Sequence, residues 1–289
     1  MRRSALFLLT VLASLLAQDR PSSCSSCPTW NIPQPGFRLY GNTYYVGTHG
    51  LSAILITSNR GHILIDAALP ESAPRIIDNI RALGFKVEDI KLIVNSHVHF
   101  DHGGALAELQ RLSKAKVAAS PWSANVMMKG IVAKDDPQYG VIIPSPKVDA
   151  KVETFNDGAR LAVGPVAVTA HFTPGHTPGG TSWTWQSCEN RRCLNFVYAD
   201  SLTAVSEDNY KYSQRKQYPH AEDFEGSFKF LESTPCDILV TPHPEAANLW
   251  DRLAKRGTNP DSLIDPAACR SLAMGLREKL RQRLLAESN

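Results

Sequence analysis

One run of ten residues constrains this chain more than any other: Asn95-Ser96-His97-Val98-His99-Phe100-Asp101-His102-Gly103-Gly104, with three histidines and an aspartate inside six positions. Imidazole and carboxylate are the ligand types that suit a borderline cation such as zinc. One ion cannot comfortably take all four ligands from so short a run. The His-x-His pair and the Asp-His pair after it therefore point to two adjacent ions. Ile90-Lys91-Leu92-Ile93-Val94, just upstream, is a short apolar run that reads as a buried strand. Downstream, Gly103-Gly104 reads as a tight turn, and Ala105-Leu106-Ala107-Glu108-Leu109 as the start of a helix. Ligands on a strand-to-helix loop sit where α/β enzymes commonly keep their chemistry.

Two more histidines stand in similar settings. Residues Val166 to Phe172 are strand-like, and the turn-rich segment Thr173-Pro174-Gly175-His176-Thr177-Pro178-Gly179-Gly180 follows them. Cys236-Asp237-Ile238-Leu239-Val240 is another buried-strand candidate, closed by Thr241-Pro242-His243-Pro244. Flanking prolines fix the backbone, which suits a ligand held in place before metal arrives. Each histidine alone is a weak signal; three strand-end loops carrying ligand-type residues make a strong one.

The chain reads as two halves alike in outline. Strand candidates at Thr43–Val46, Ser52–Thr57 and His62–Asp66 precede a helix candidate from Glu71 to Leu83, and the strand Lys91–Val94 delivers the histidine-rich loop. In the second half, strands at Val166–Phe172, Thr181–Gln186 and Leu194–Tyr198 precede a helix around Glu222–Leu231. The strand Asp237–Val240 then delivers His243. Alternating strands and helices argue for α/β layers. Phe228 reads as core-facing and Phe230 as partly exposed. The segment Ala267–Leu285 is amphipathic and basic, expected to pack one face on the domain. Residues 134–146 form a long loop rich in turn formers, of a length usually reserved for function or disorder.

Residues 1–17 have a basic start and a short apolar stretch, and read as a signal peptide cut near Gln18. Residues 18–33 read as a polar N-terminal linker, leaving 34–289 as a single domain. Cys24 lacks the small-residue context of a lipid anchor, so the chain is expected in the periplasm without a membrane anchor. Loss of Arg2 and Arg3 from the 31 basic side chains leaves a near-balance with the 28 acidic ones. No basic run with interleaved aromatics appears, which excludes nucleic acid as an expected partner. The 6 cysteines fit an oxidising compartment. Cys188 and Cys193 flank a polar turn between two strand candidates, where a disulfide would staple a hairpin.

The pattern His97-x-His99-x-Asp101-His102, Gly175-His176-Thr177 and His243 resembles the metallo-β-lactamase superfamily. Flanking blocks narrow the resemblance to subclass B3: Tyr40 to Thr48, Gly61 to Ala68, Thr181-Ser182-Trp183-Thr184-Trp185, Tyr198 to Thr203, and Thr241-Pro242-His243-Pro244-Glu245. The resemblance runs from about Tyr40 to the C-terminus. It implies a four-layer αβ/βα sandwich with a dinuclear metal site at one edge, between the halves. It also implies two zinc ions per chain, the first held by His97, His99 and His176, the second by Asp101, His102 and His243. A zinc-bound hydroxide would attack the strained amide of penicillins, cephalosporins and carbapenems, with Asp101 orienting it, and so confer antibiotic resistance. The expected partner is the small β-lactam itself, and the expected state a monomer.

Some relatives meet the substrate carboxylate with a lysine, but Leu202 to Glu207 contains none. Ser201 and Thr203 are the candidate readers, and Gln138 on the 134–146 loop is a candidate substrate contact. Asp66, closing its strand, is either a partner that orients the metal loop or a cap for the next helix. The resemblance pairs Cys236 with Cys269. Cys24 and Cys27 depart from it, because relatives pair an N-terminal cysteine with the position held here by His49; these two either bond to each other or stay reduced. Subclass B1 uses a cysteine where Ser201 stands. Asp200 keeps an alternative in view, since dizinc lactonases and thioesterases of the glyoxalase II type use an aspartate near there to bridge both metals. A non-catalytic metal-binding protein would need an incomplete ligand set, and all six ligand types are present. His49, His62, His171 and His220 occupy no motif position and read as structural.

Overall fold

The strand His62-Ile63-Leu64-Ile65 is buried along its whole length, and its alternation explains the architecture. Ile63 and Ile65 point into one apolar cluster and Leu64 into another. Successive side chains of a strand face opposite sides of the sheet, so this sheet is covered on both faces. The computed structural model describes residues 24–288. The expected signal peptide lies outside the described residues.

The first sheet has seven strands in sequence order: β1 Phe37–Tyr40, β2 Thr43–Tyr45, β3 Ile54–Ile56, β4 His62–Ile65, β5 Ile90–Val94, β6 Lys116–Ala119 and β7 Val152–Thr154. The strands β1 to β4 pair antiparallel, and β4 to β7 pair parallel. The second sheet comprises β8 Arg160–Val163, β9 Val166–Phe172, β10 Thr181–Glu189, β11 Arg192–Tyr198 and β12 Ile238–Val240, in the order β12-β11-β10-β9-β8. The same alternation recurs there: Phe196 and Tyr198 face the first sheet, whereas Val197 faces outward to the helices.

Three apolar clusters result. One lies between the first sheet and its helices, including Ala73–Ala82 and Pro121–Lys129; one lies between the sheets; the third lies under Ala221–Ser233 and Ala268–Glu287. Three clusters separate four layers, the αβ/βα sandwich. Phe228 is fully buried, and Phe230, half-buried, stacks on His171 at 4.4 Å.

Three disulfides are present: Cys188–Cys193 across the β10–β11 turn, Cys236–Cys269 between the segment leading into β12 and the last helix, and Cys24–Cys27. The N-terminal cysteines thus pair with each other. Their segment departs from the expected linker, because Cys27–Trp30 forms a short helical turn against the domain. Thr48 Oγ1 donates to Trp30 O at 2.7 Å, and His49 N to Ile32 O at 2.9 Å.

Candidate metal centre and substrate groove

The histidine-rich loop is held from both sheets. Asp66, at the end of β4 with φ +60, accepts hydrogen bonds from Ser96 N at 2.6 Å, Ser96 Oγ at 2.7 Å and Tyr198 Oη at 2.7 Å. It therefore holds the backbone of the histidine-rich loop, and the N-cap position of the next helical turn falls to Leu69, which makes no side-chain cap. From the second sheet, Thr181 N donates to Ser96 O and Trp183 Nε1 to Asn95 O. The expected Gly103-Gly104 turn is replaced by a helical turn, Phe100–Gly103, which carries Asp101 and His102. Gly104 continues in helical geometry, and a side chain there would strike Phe100 O and Pro70. Close packing, rather than a reversal of the chain, requires this glycine.

His97, His99 and His176 present ring nitrogens within 4.8 Å of one another. Each ring is gripped on its other side. Nδ1 of His97 lies 2.7 Å from Asp200 Oδ1, and Nδ1 of His176 lies 2.9 Å from Thr203 O. His99 is held through Nε2 by Asp136 Oδ2 at 3.0 Å. Gripping one nitrogen fixes both ring orientation and tautomer. Just before His176, Gly175, φ +155, lies against the Phe224 ring, where only glycine leaves room.

A second triad adjoins the first. Asp101 Oδ2 lies 3.2 Å from His102 Nε2 and 3.4 Å from His243 Nε2. The His97 and His102 rings are 4.5 Å apart, so the two triads share a wall.

Electrostatics favour neutral imidazoles at His97 and His176 and a charged carboxylate at Asp101. Against the opposing effect of burial, that charge in turn raises the pKa of His102. Burial, reinforced by His97 and His99, pushes His176 down to about 3. Burial also drives His97 well below its ordinary value. At Asp101 burial opposes the charge, yet His102 and His243 hold the carboxyl well below the usual range. Burial raises Asp200 to about 7. Neutral rings keep the lone pairs that a cation needs.

His99, His176, Asp101 and His243 line a groove of about 750 Å³. Gln138, Ser201 and Thr203 all line it. Gln138 Nε2 comes within 3.3 Å of His176 Nε2 and 3.5 Å of His99 Nδ1. The Thr203 hydroxyl is 3.2 Å from His176 Nδ1, whereas the Ser201 hydroxyl makes no hydrogen bond among the described residues. Trp30 forms part of the wall, its ring 5.1 Å from that of His243.

Comparison with known proteins accords with this geometry. The family model of the metallo-beta-lactamase superfamily matches residues 46–189. The solved Rm3 metallo-beta-lactamase is 54% identical, with a TM-score of 0.89 over 93% of this chain and 100% of that one. The chain belongs to the metallo-beta-lactamase superfamily. A second solved member, the subclass B3 metallo-beta-lactamase MEM-A1 from a soil metagenome library, is 47% identical, with a TM-score of 0.87 over 90% of this chain and 98% of its own. The N-acyl homoserine lactonase AttM of Agrobacterium fabrum is 30% identical over 53% of this chain. The chain spans only 60% of that relative's length.

Of the residues expected as ligands, His99, Asp101, His176 and His243 line the groove and His97 and His102 are buried against them, while the other four histidines stay out. His62 accepts from Ser58 N, His171 pairs with Thr184, His49 stacks on Trp250, and His220 caps the helix Ala221–Ser233. Sequence reading missed Asp136 and Trp30. The long 134–146 loop was a signal for the first, whereas Trp30 stood in what read as a polar linker.

Proposed function

We propose that this chain is a zinc-dependent β-lactamase of the subclass B3 type, acting in the periplasm on penicillins, cephalosporins and carbapenems. The observation that carries the reading is the juxtaposition of two ligand triads under a groove in a chain 54% identical to a solved metallo-beta-lactamase. The donor set suits zinc: buried His97 Nε2 has no hydrogen-bond partner, as expected of an atom kept for a metal. His97, His99 and His176 would hold one ion, and Asp101, His102 and His243 the other. Bound zinc supplies Lewis acidity and lowers the pKa of water toward ~7.

The side chains do the rest. With Oδ2 of Asp101 turned to His102 and His243, its Oδ1 is the atom that would orient the attacking water. Ser201, whose hydroxyl is uncommitted, is the better reader of the substrate carboxylate. Thr203 shares its hydroxyl with His176 and steadies that ring as well. Trp30, Ile142 and Leu272 give the groove an apolar side. Among the described residues no helix is long and apolar enough to cross a membrane.

A chromogenic cephalosporin tests the reading directly: turnover that a chelator abolishes and zinc restores is expected, and no turnover in the zinc-loaded protein would overturn it. The lactonase reading rests on Asp200 Oδ2, which is buried without a hydrogen-bond partner. Its Oδ1, however, is committed to His97 Nδ1, the geometry of a carboxylate that orients a ligand rather than bridging metals. Asp200→Asn is expected to retain both zinc ions; loss of one would move the lactonase reading ahead.

A further inference from the structure

The three histidines of the first triad are not gripped alike. His97 and His176 are held at Nδ1, which leaves Nε2 facing inward. His99 is held at Nε2 by Asp136, and its Nδ1 faces Gln138 and the groove. Neutral imidazole carries one proton, and the nitrogen that donates to an acceptor is the one that keeps it. A carboxylate accepts only, so Asp136 selects the Nε2–H form of His99 and leaves the Nδ1 lone pair bare. In water the same ring exchanges freely between the two forms.

Asp136 is also built into the groove loop. It is 2% exposed. Its Oδ1 accepts from Gln138 N at 2.8 Å, its backbone N donates to Ala133 O at 3.0 Å, and its carbonyl accepts from Tyr139 N at 2.9 Å. Beyond it, Glu207 N donates to Pro137 O, and Ser145 Oγ to Val98 O, pinning the loop on both sides. One carboxylate thus shapes the turn that presents Gln138 and sets the ring of His99, 37 residues away in sequence.

We propose that Asp136 is a positioning residue for the first metal site, fixing the tautomer and orientation of His99 and coupling that ligand to the Gln138 turn. The inference rests on the dizinc reading above. A merely structural Asp136 would shape the loop and leave the ligand's affinity for metal untouched.

Asp136→Ala and Asp136→Asn in the full mature chain decide the matter through two readouts. In the metal-free protein, nitrogen-edited NMR of the imidazoles is expected to show His99 as the Nε2–H form, and a mixture of both forms in Asp136→Ala. Competitive titration with a zinc chelator dye is expected to show one of two stepwise affinities weakened about 10–100-fold in Asp136→Ala. Asp136→Asn, which keeps an acceptor oxygen, should fall between and serves if the alanine variant does not fold. Wild-type affinities together with an unchanged His99 tautomer would overturn the proposal, as would a rise in KM with neither change. Failure of the wild-type protein to take up zinc would instead overturn the dizinc reading, and the tautomer would still judge Asp136.

Discussion

The indole of Trp30 lies 5.1 Å from the imidazole of His243, with the two ring planes inclined at 56°. A residue just past the Cys24–Cys27 disulfide thereby touches an expected ligand supplied by the loop after β12. Thr48 Oγ1 and Gly50 N both donate to the Trp30 carbonyl, so the backbone that carries the indole is anchored by the turn between β2 and β3.

Trp30→Ala should therefore disturb the second triad more than the first. An aromatic contact of this kind contributes about 0.5–1.5 kcal/mol beyond burial. Zinc affinity at the second site is expected to fall roughly two- to tenfold by that measure, with KM for a bulky cephalosporin rising as the wall opens. Competition titration alongside steady-state kinetics checks both, and an unchanged second affinity would show the contact to be incidental.

His176→Ala and His243→Ala are each expected to remove one of two zinc ions, read by elemental analysis of the purified protein. A chelator should abolish β-lactam hydrolysis, while clavulanate, which targets a serine nucleophile, should leave it intact. A stable covalent adduct on the intact protein's mass during turnover would contradict this.

Ser201→Ala should raise KM for β-lactams without changing metal content. A hydrogen bond to a charged group is worth about 1.5–3 kcal/mol, so the rise is expected to be about tenfold or more. Thr203→Ala should do less alone, because its backbone carbonyl still holds His176 at 2.9 Å. The double variant should show the largest KM, measured with zinc held in excess.

Cys236–Cys269 closes a separation of 33 residues and ties the start of β12 to the last helix, whose Leu272 and Leu276 line the groove. Replacing both cysteines with alanine is expected to cost about 2–4 kcal/mol of stability, read by urea unfolding. The variant should keep its zinc ligands but show increased KM as the helix loosens.

Much of the candidate site was legible because its residues cluster in sequence after apolar runs. The strand β5 and the loop behind it could be read from an apolar-rich run followed closely by ligand-type residues. The strands β6 and β8 escaped: Lys116-Val117-Ala118-Ala119 has small side chains and little alternation, and Arg160–Val163 is half exposed at a sheet edge. Asp136 stood on a loop marked as functional, but its role was not legible. Its partner is fixed only when the loop folds back over the first triad, and no local pattern records that pairing. Gly104 was legible as a glycine but not in its role, since the atoms that demand it belong partly to Pro70.

The triads draw on both sheets: four ligand candidates follow β5, His176 follows β9, and His243 follows β12. This sets an order of events in the life of the molecule. Neither ligand set is complete until the second half has folded against the first, and the second set waits for residue 243. On that reading tight metal capture would be a late step, a report that assembly has finished rather than a nucleus that starts it. In the dizinc reading, a chain not yet folded through residue 243 would lack both complete ligand sets and would take up its metal only where folding ends.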